Sequence, residues 1–179
     1  MTKEYYWKVL GRFEKNDEDL KLLDIDECYH GERKNVRLRY ANDLTNANSG
    51  VCESFASEQT SKGLCINKEY QYSESFEFDT ADDFDWIRAK ADFGIKQKEW
   101  DTWRMAQFIV KYLDEDDVVK AEMIRIYRLL NDNEEKTIFI DVKKPREVFD
   151  RISIVFWNAD GDKEVLIKNL EVEVFDEGE

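Results

Sequence analysis

From Tyr70 to the end of the chain, apolar residues recur at every second position in short runs that begin and end in Asp, Asn or Gly. A repeat of two is the repeat of an extended backbone with one buried face, and a helix cannot satisfy it. In 87–93 the apolar residues are Ile87, Ala89, Ala91 and Phe93, with Arg88, Lys90 and Asp92 between them. Ala106, Phe108, Val110 and Tyr112 repeat the pattern ahead of Asp114-Glu115-Asp116-Asp117, and Ile152, Ile154 and Phe156 repeat it ahead of Asn158-Ala159-Asp160-Gly161-Asp162. Leu170, Val172 and Val174 alternate with Glu171 and Glu173, as expected of an antiparallel sheet with one wet face. Several short strands without βαβ alternation predict an all-β fold, an antiparallel β-sandwich or jelly roll.

The lone proline, Pro145, and seven scattered glycines form no linker, and no repeat of solenoid length is present. One domain over 1–179 is therefore expected, best supported over 60–176. Short helices are admitted in the N-terminal part or near 116–130. There Val119, Met123, Ile126, Tyr127 and Leu130 also fit helical spacing, with Asp116 available as a cap. The β-branched and aromatic content favours a strand over Ile124 to Leu129. Val36 to Tyr40 alternates well, Asn42 to Gly50 reads as polar loop, and Tyr5 to Leu10 suits either an edge strand or a short helix.

At 179 residues the chain can bury a sizeable core, and 42% hydrophobic residues supply one. Its 41 acidic and 27 basic side chains leave a net charge of −14, which repels phosphate backbones and anionic membranes; nucleic acid is not an expected partner. No stretch is long and apolar enough to insert in a membrane, and Met1-Thr2-Lys3-Glu4 opens no signal-peptide core, so a soluble domain is expected. Compartment stays open, with an extracytoplasmic place expected if a larger exported or anchored protein is the parent. Cys28, Cys52 and Cys65 lack CxxC spacing, and Cys28-Tyr29-His30 supplies too few ligands for zinc. Buried thiols are one reading; a Cys52 to Cys65 bridge in an oxidising compartment is the other.

If the alternating residues above face the core, Trp103, Gln107 and Lys111 fall on the opposite face of their strand. Arg125 and Tyr127 fall there on the next strand, and Arg151, Ser153 and Trp157 on another. Aromatic rings interleaved with amide, guanidinium and hydroxyl groups are what sugar recognition needs, since pyranose C–H faces stack on rings while polar groups bond the hydroxyls. Trp100 and Trp103, three apart at a strand start, could display loop-borne rings. The competing reading packs Trp103 and Trp157 under loops or into the core, with Trp100 and Trp103 capping the sandwich. The acidic clusters Asp82-Asp83, Asp114 to Asp117 and Asp160-Gly161-Asp162 read as turns more readily than as calcium loops.

The succession Tyr70-Gln71-Tyr72-Ser73, Trp86 to Phe93, Pro145, Ile152 to Asn158 and Ile167-Lys168-Asn169-Leu170-Glu171-Val172 resembles the galactose-binding-like jelly rolls, a group that includes carbohydrate-binding modules. The resemblance covers about 60–176. It implies a non-catalytic sandwich, often accessory or extracytoplasmic, that contacts glycan or cell-surface material and often carries a structural calcium. In such domains an Asp frequently stands where this chain has Lys168, and a cation there disfavours the metal.

Nucleophile-elbow, phosphate-loop and Glu-x-Asp-x-x-Glu motifs are absent. The expected function is a non-catalytic module that recognises carbohydrate or a cell-surface polymer through Trp100, Trp103, Gln107, Arg125, Tyr127 and Trp157. The alternative is a structural or protein-interaction domain docking on a protein surface. No cofactor is expected beyond the disfavoured calcium.

Overall fold

The computed structural model describes residues 29–55, 62–79, 83–99, 101 and 104–178. Trp100, Trp103, Cys28, Asp82 and the segment from Tyr5 to Leu10 lie outside the described residues. Nine strands run through the rest: β1 (Arg33–Asn42), β2 (Leu64–Ile66), β3 (Phe76–Asp79), β4 (Trp86–Ile95), β5 (Gln107–Asp114), β6 (Asp117–Arg125), β7 (Glu134–Lys143), β8 (Arg151–Trp157) and β9 (Val165–Glu177).

Two antiparallel sheets form, one in the order β1-β9-β4-β7 with β2 also paired to β9, the other in the order β3-β8-β5-β6. From β2 onward the chain changes sheet at every connection except the β5–β6 hairpin. Strand orders 2-9-4-7 and 3-8-5-6 are those of a jelly roll, and the fold is an antiparallel β-sandwich of that kind.

The predicted inward residues meet between the sheets. Ile87, Ala89, Ala91 and Phe93 of β4, Phe108, Val110 and Tyr112 of β5, and Ile152, Ile154 and Phe156 of β8 share one buried cluster with Leu170, Val172 and Val174 of β9. At its centre Phe93, Phe108 and Phe156 pack with ring centroids 5.1–5.7 Å apart. The alternation forces this arrangement, because a slip of one residue in any of these strands would turn its apolar set to solvent.

The cysteine question resolves as a disulfide between Cys52 and Cys65. Leu64 and Ile66 of β2 point into the core, so Cys65 points away from it, where the bridge packs with Phe55 and Leu166 in a small cluster of its own. β9 carries a bulge where Lys90 and Asp92 of β4 face Glu171 and Lys168; within it Asn169 takes a φ of 53° and donates to Asp92 Oδ2 at 2.7 Å. Lys168 pairs there with Glu135 at 2.5 Å.

Two expectations need correction. The strand placed over Ile124 to Leu129 ends at Arg125, and Ile126–Arg128 is a 3-10 helix. The apolar side chains Ile126, Tyr127, Leu129 and Leu130 are all buried in the core, so the chain must turn inward at that point. The polar loop after Asn42 likewise contains one fully buried residue, Leu44, whose φ of 64° tucks it under the sandwich.

Candidate functional site

The outer faces of the two sheets differ in kind. On the five-stranded sheet the outward residues form a lattice of ion pairs. Arg88 donates two hydrogen bonds of 2.7 Å to the buried Asp141 and lies 4.1 Å over the Phe139 ring. Lys90 pairs with Glu171 at 2.9 Å and Glu173 at 3.5 Å, and Arg33 pairs with Glu173 at 2.7 Å. Burial pushes the Glu173 carboxyl upward, but the Arg33 hydrogen bond and the charge of Lys90 outweigh it and hold the group below the usual carboxylate range. Charges here are satisfied within the face.

The four-stranded sheet presents a mixed polar and apolar face built in cross-strand rows, with Asp79 and Glu77 of β3 opposite Arg151 and Ser153 and with Ser153, Val155, Ile109, Gln107 and Leu113 at its centre buried. Register places Arg151, Leu113 and Val118 in one row, then Ser153, Lys111 and Ala121, then Val155, Ile109 and Met123, and last Trp157, Gln107 and Arg125. Sequence reasoning placed Gln107, Lys111, Arg125, Arg151, Ser153 and Trp157 on this face, and register brings Trp157, Gln107 and Arg125 into direct lateral neighbourhood. It misplaced Tyr127, which lies in the 3-10 helix, 2% exposed and part of the core. Burial first, and the nearby charges of Glu99 and Glu164 second, push its phenol upward.

The aromatic end of the face has a member the sequence reading did not select. Tyr72 forms an isolated bridge with Trp157, and the two rings stack at 5.5 Å with planes 7° apart. Tyr72 is 60% exposed. The signal was present in Tyr70-x-Tyr72, an alternating aromatic pair just before β3, but nothing local showed which strand it would join.

Two polar atoms in the last row are buried and unsatisfied: the Gln107 carbonyl Oε1, an acceptor, and the Trp157 indole Nε1, a donor. Gln107 as a whole is only 6% exposed. Each such atom costs about 1–3 kcal/mol without a partner, so a folded chain that carries an orphan donor beside an orphan acceptor holds two unmet bonds in one place. At the ends of the face the cations differ. Arg151 is tied to Glu77, Asp150 and Asp116 at 3.2–3.3 Å, while Lys111 and Arg125 have no ion-pair partner among the described residues.

Beyond Trp157 the β8–β9 loop turns sharply. Asn158 is fully buried and its Nδ2 donates to the carbonyls of Gly161 and Lys163 at 3.0 and 3.2 Å. A Cβ at Gly161 would stand 2.6 Å from the Arg104 carbonyl oxygen, so only glycine allows this approach. The loop borders a cavity of about 380 Å³ lined by Lys68, Gln71, Asp101, Arg104, Asp160 and Asp162 among others. Lys68 pairs with Asp162 at 2.7 Å and Arg104 with its other oxygen at 3.5 Å; the Lys68 ammonium holds the Asp162 carboxyl below its usual range. Among the described residues no group of three or more His, Cys, Asp or Glu is placed to hold a metal ion.

The sequence matches no protein-family profile and no curated protein. Solved structures do match. A CBM4 structure is 9% identical over 61% of this chain, which spans 64% of its length, with a TM-score of 0.42. The xylan-binding module CBM15 is 11% identical over 87% of this chain and 97% of its own, with a TM-score of 0.43. The VP2 subviral particle of infectious bursal disease virus is 12% identical over 86% of this chain and 36% of its own, also at 0.43. Scores at this level carry no argument about a ligand, and the jelly-roll assignment stands on the strand order itself.

Proposed function

We propose that this chain is a non-catalytic binding module whose ligand is a carbohydrate, seated on the outer face of the four-stranded sheet at the row of Trp157, Gln107 and Arg125 beside Tyr72. The observation that carries the reading is the orphan donor and acceptor pair. A sugar hydroxyl is both donor and acceptor, so adjacent hydroxyls answer Gln107 Oε1 and Trp157 Nε1 together, while Tyr72 and Trp157 offer ring faces to pyranose C–H groups. Both atoms are shielded in the free chain, so binding requires neighbouring side chains to move aside. Tyr127, inside the core, is not part of the proposed site.

No helix among the described residues is long and apolar enough to cross a membrane. The Cys52–Cys65 bridge suits an oxidising, extracytoplasmic setting, where glycans and cell-surface polymers are met. A second reading, docking on a protein surface, is favoured by Val118 and Met123, 54% and 46% exposed on the edge strand β6.

The test is binding to an immobilised glycan panel, with and without calcium, by the native chain and by Trp157→Ala and Tyr72→Ala variants. Saturable binding that either variant weakens by about tenfold or more supports the site, since buried aromatic anchors contribute about 2 kcal/mol or more. Binding that both folded variants retain places the ligand elsewhere. Absence of binding to every glycan leaves protein docking as the better account.

A further inference from the structure

Resting on that reading, we infer that the ligand is an acidic polysaccharide, recognised through Arg125 and Lys111. In a chain of net charge −14, a cation on the surface has abundant carboxylates to pair with. On the opposite sheet Arg33, Arg88, Lys90 and Lys168 all do so. Arg151 on the same face engages three acids. Arg125 and Lys111, both half-buried on the four-stranded face, have none among the described residues.

Their placement narrows the ligand. Arg125 sits beside Gln107 in the row that ends at Trp157, so an anion at Arg125 belongs to the same ligand whose hydroxyls reach the orphan amide. The guanidinium fork matches a carboxylate or sulfate with two parallel bonds. Lys111 lies four residues along β5 from Gln107 on the same face, about 13 Å away at the rise of an extended strand. One small anion cannot span that gap, whereas a polymer with a charge on successive sugars meets both cations. Between them, in the row of Val155, Ile109 and Met123, Ile109 and Val155 are buried and Met123, 46% exposed on the edge strand β6, is the apolar side chain open to the C–H face of the intervening sugar.

The experiment uses the full chain against three immobilised polymers: polygalacturonate, the neutral polymer made from it by reducing its carboxyl groups, and dextran sulfate. Binding to polygalacturonate that falls about tenfold in Arg125→Gln, and by a smaller factor in Lys111→Gln, with the reduced polymer bound at least about tenfold more weakly, is the expected result. Preference for dextran sulfate with the same dependence on Arg125 identifies the anion as sulfate. Equal binding of the reduced polymer, or binding unchanged in both variants, overturns this inference and leaves the glycan reading intact. Failure of both acidic polymers while neutral glycans of the wider panel bind does the same. If nothing binds, the glycan reading falls too, and an acidic protein becomes the partner that fits these cations.

Discussion

Tyr127 and Gln107 both carry a buried oxygen without a hydrogen-bond partner, and their positions give those oxygens opposite meanings. Gln107 lies on a sheet face beside a second orphan of complementary type. Tyr127 lies in the core, where a ligand has no path, so its hydroxyl is a cost without a use. Tyr127→Phe removes the unpaired hydroxyl while keeping the ring, and is expected to leave stability unchanged or raise it by about 1 kcal/mol, read from urea unfolding. The same variant should bind the glycan as the native chain does. A loss of stability above about 1 kcal/mol would mean that the hydroxyl has a partner in solution. Gln107→Leu differs in binding alone: stability is again kept or improved, since the unpaired amide is replaced by apolar surface, while glycan binding is lost.

Among the elements, β2 is the shortest strand and relies on covalent help. Its three residues are buried but pair with β9 over only three positions, and the Cys52–Cys65 bridge ties them to the preceding loop. A closed loop of this size removes unfolded-state entropy worth about 3 kcal/mol. The double variant Cys52→Ser, Cys65→Ser should lower unfolding free energy by roughly that amount. It should leave ligand binding intact, because the bridge belongs to the other sheet. Element by element, β4, β5, β8 and β9 were legible because each has a full run of alternating residues facing a common core. The end of β6 was not, because Ile126, Tyr127, Leu129 and Leu130 satisfy neither period cleanly and only the need to close the end of the sandwich bends them inward. The row that forms the candidate site was legible in part: the facing of Gln107, Arg125 and Trp157 follows from alternation, but their adjacency requires knowing that β5 lies between β6 and β8.

For the whole molecule the distribution of charge sets the response to pH. A carboxylate held below its unfolded value contributes stability that is fully present above that value and is lost as pH falls through the folded one. Glu173 is such a group, with Arg33 and Lys90 as its partners. Lys90 is shifted the other way: its hydrogen bond to Glu171 first, and the charges of Glu173 and Glu171 against the opposing effect of burial, raise it above 10.5. Its contribution is therefore complete below 10.5 and lost as pH rises through the raised value. Urea midpoints should be flat near neutrality and decline below about pH 4 and at strongly alkaline pH. Glu173→Gln should flatten the acid limb; an unchanged limb would show that the lattice on this sheet adds nothing.

Alternation alone determined that this chain is all-β, antiparallel and two-layered, because a period of two with polar residues between leaves a strand one way to bury its apolar side. The charge count and its scatter likewise determined that the surface is acidic. Strand order, the choice of Cys52 and Cys65 as partners, the stacking of Tyr72 on Trp157 and the lack of an ion-pair partner for Arg125 and Lys111 among the described residues were decided by tertiary structure. Each depends on which strands become neighbours, and neighbours in a jelly roll are far apart along the chain.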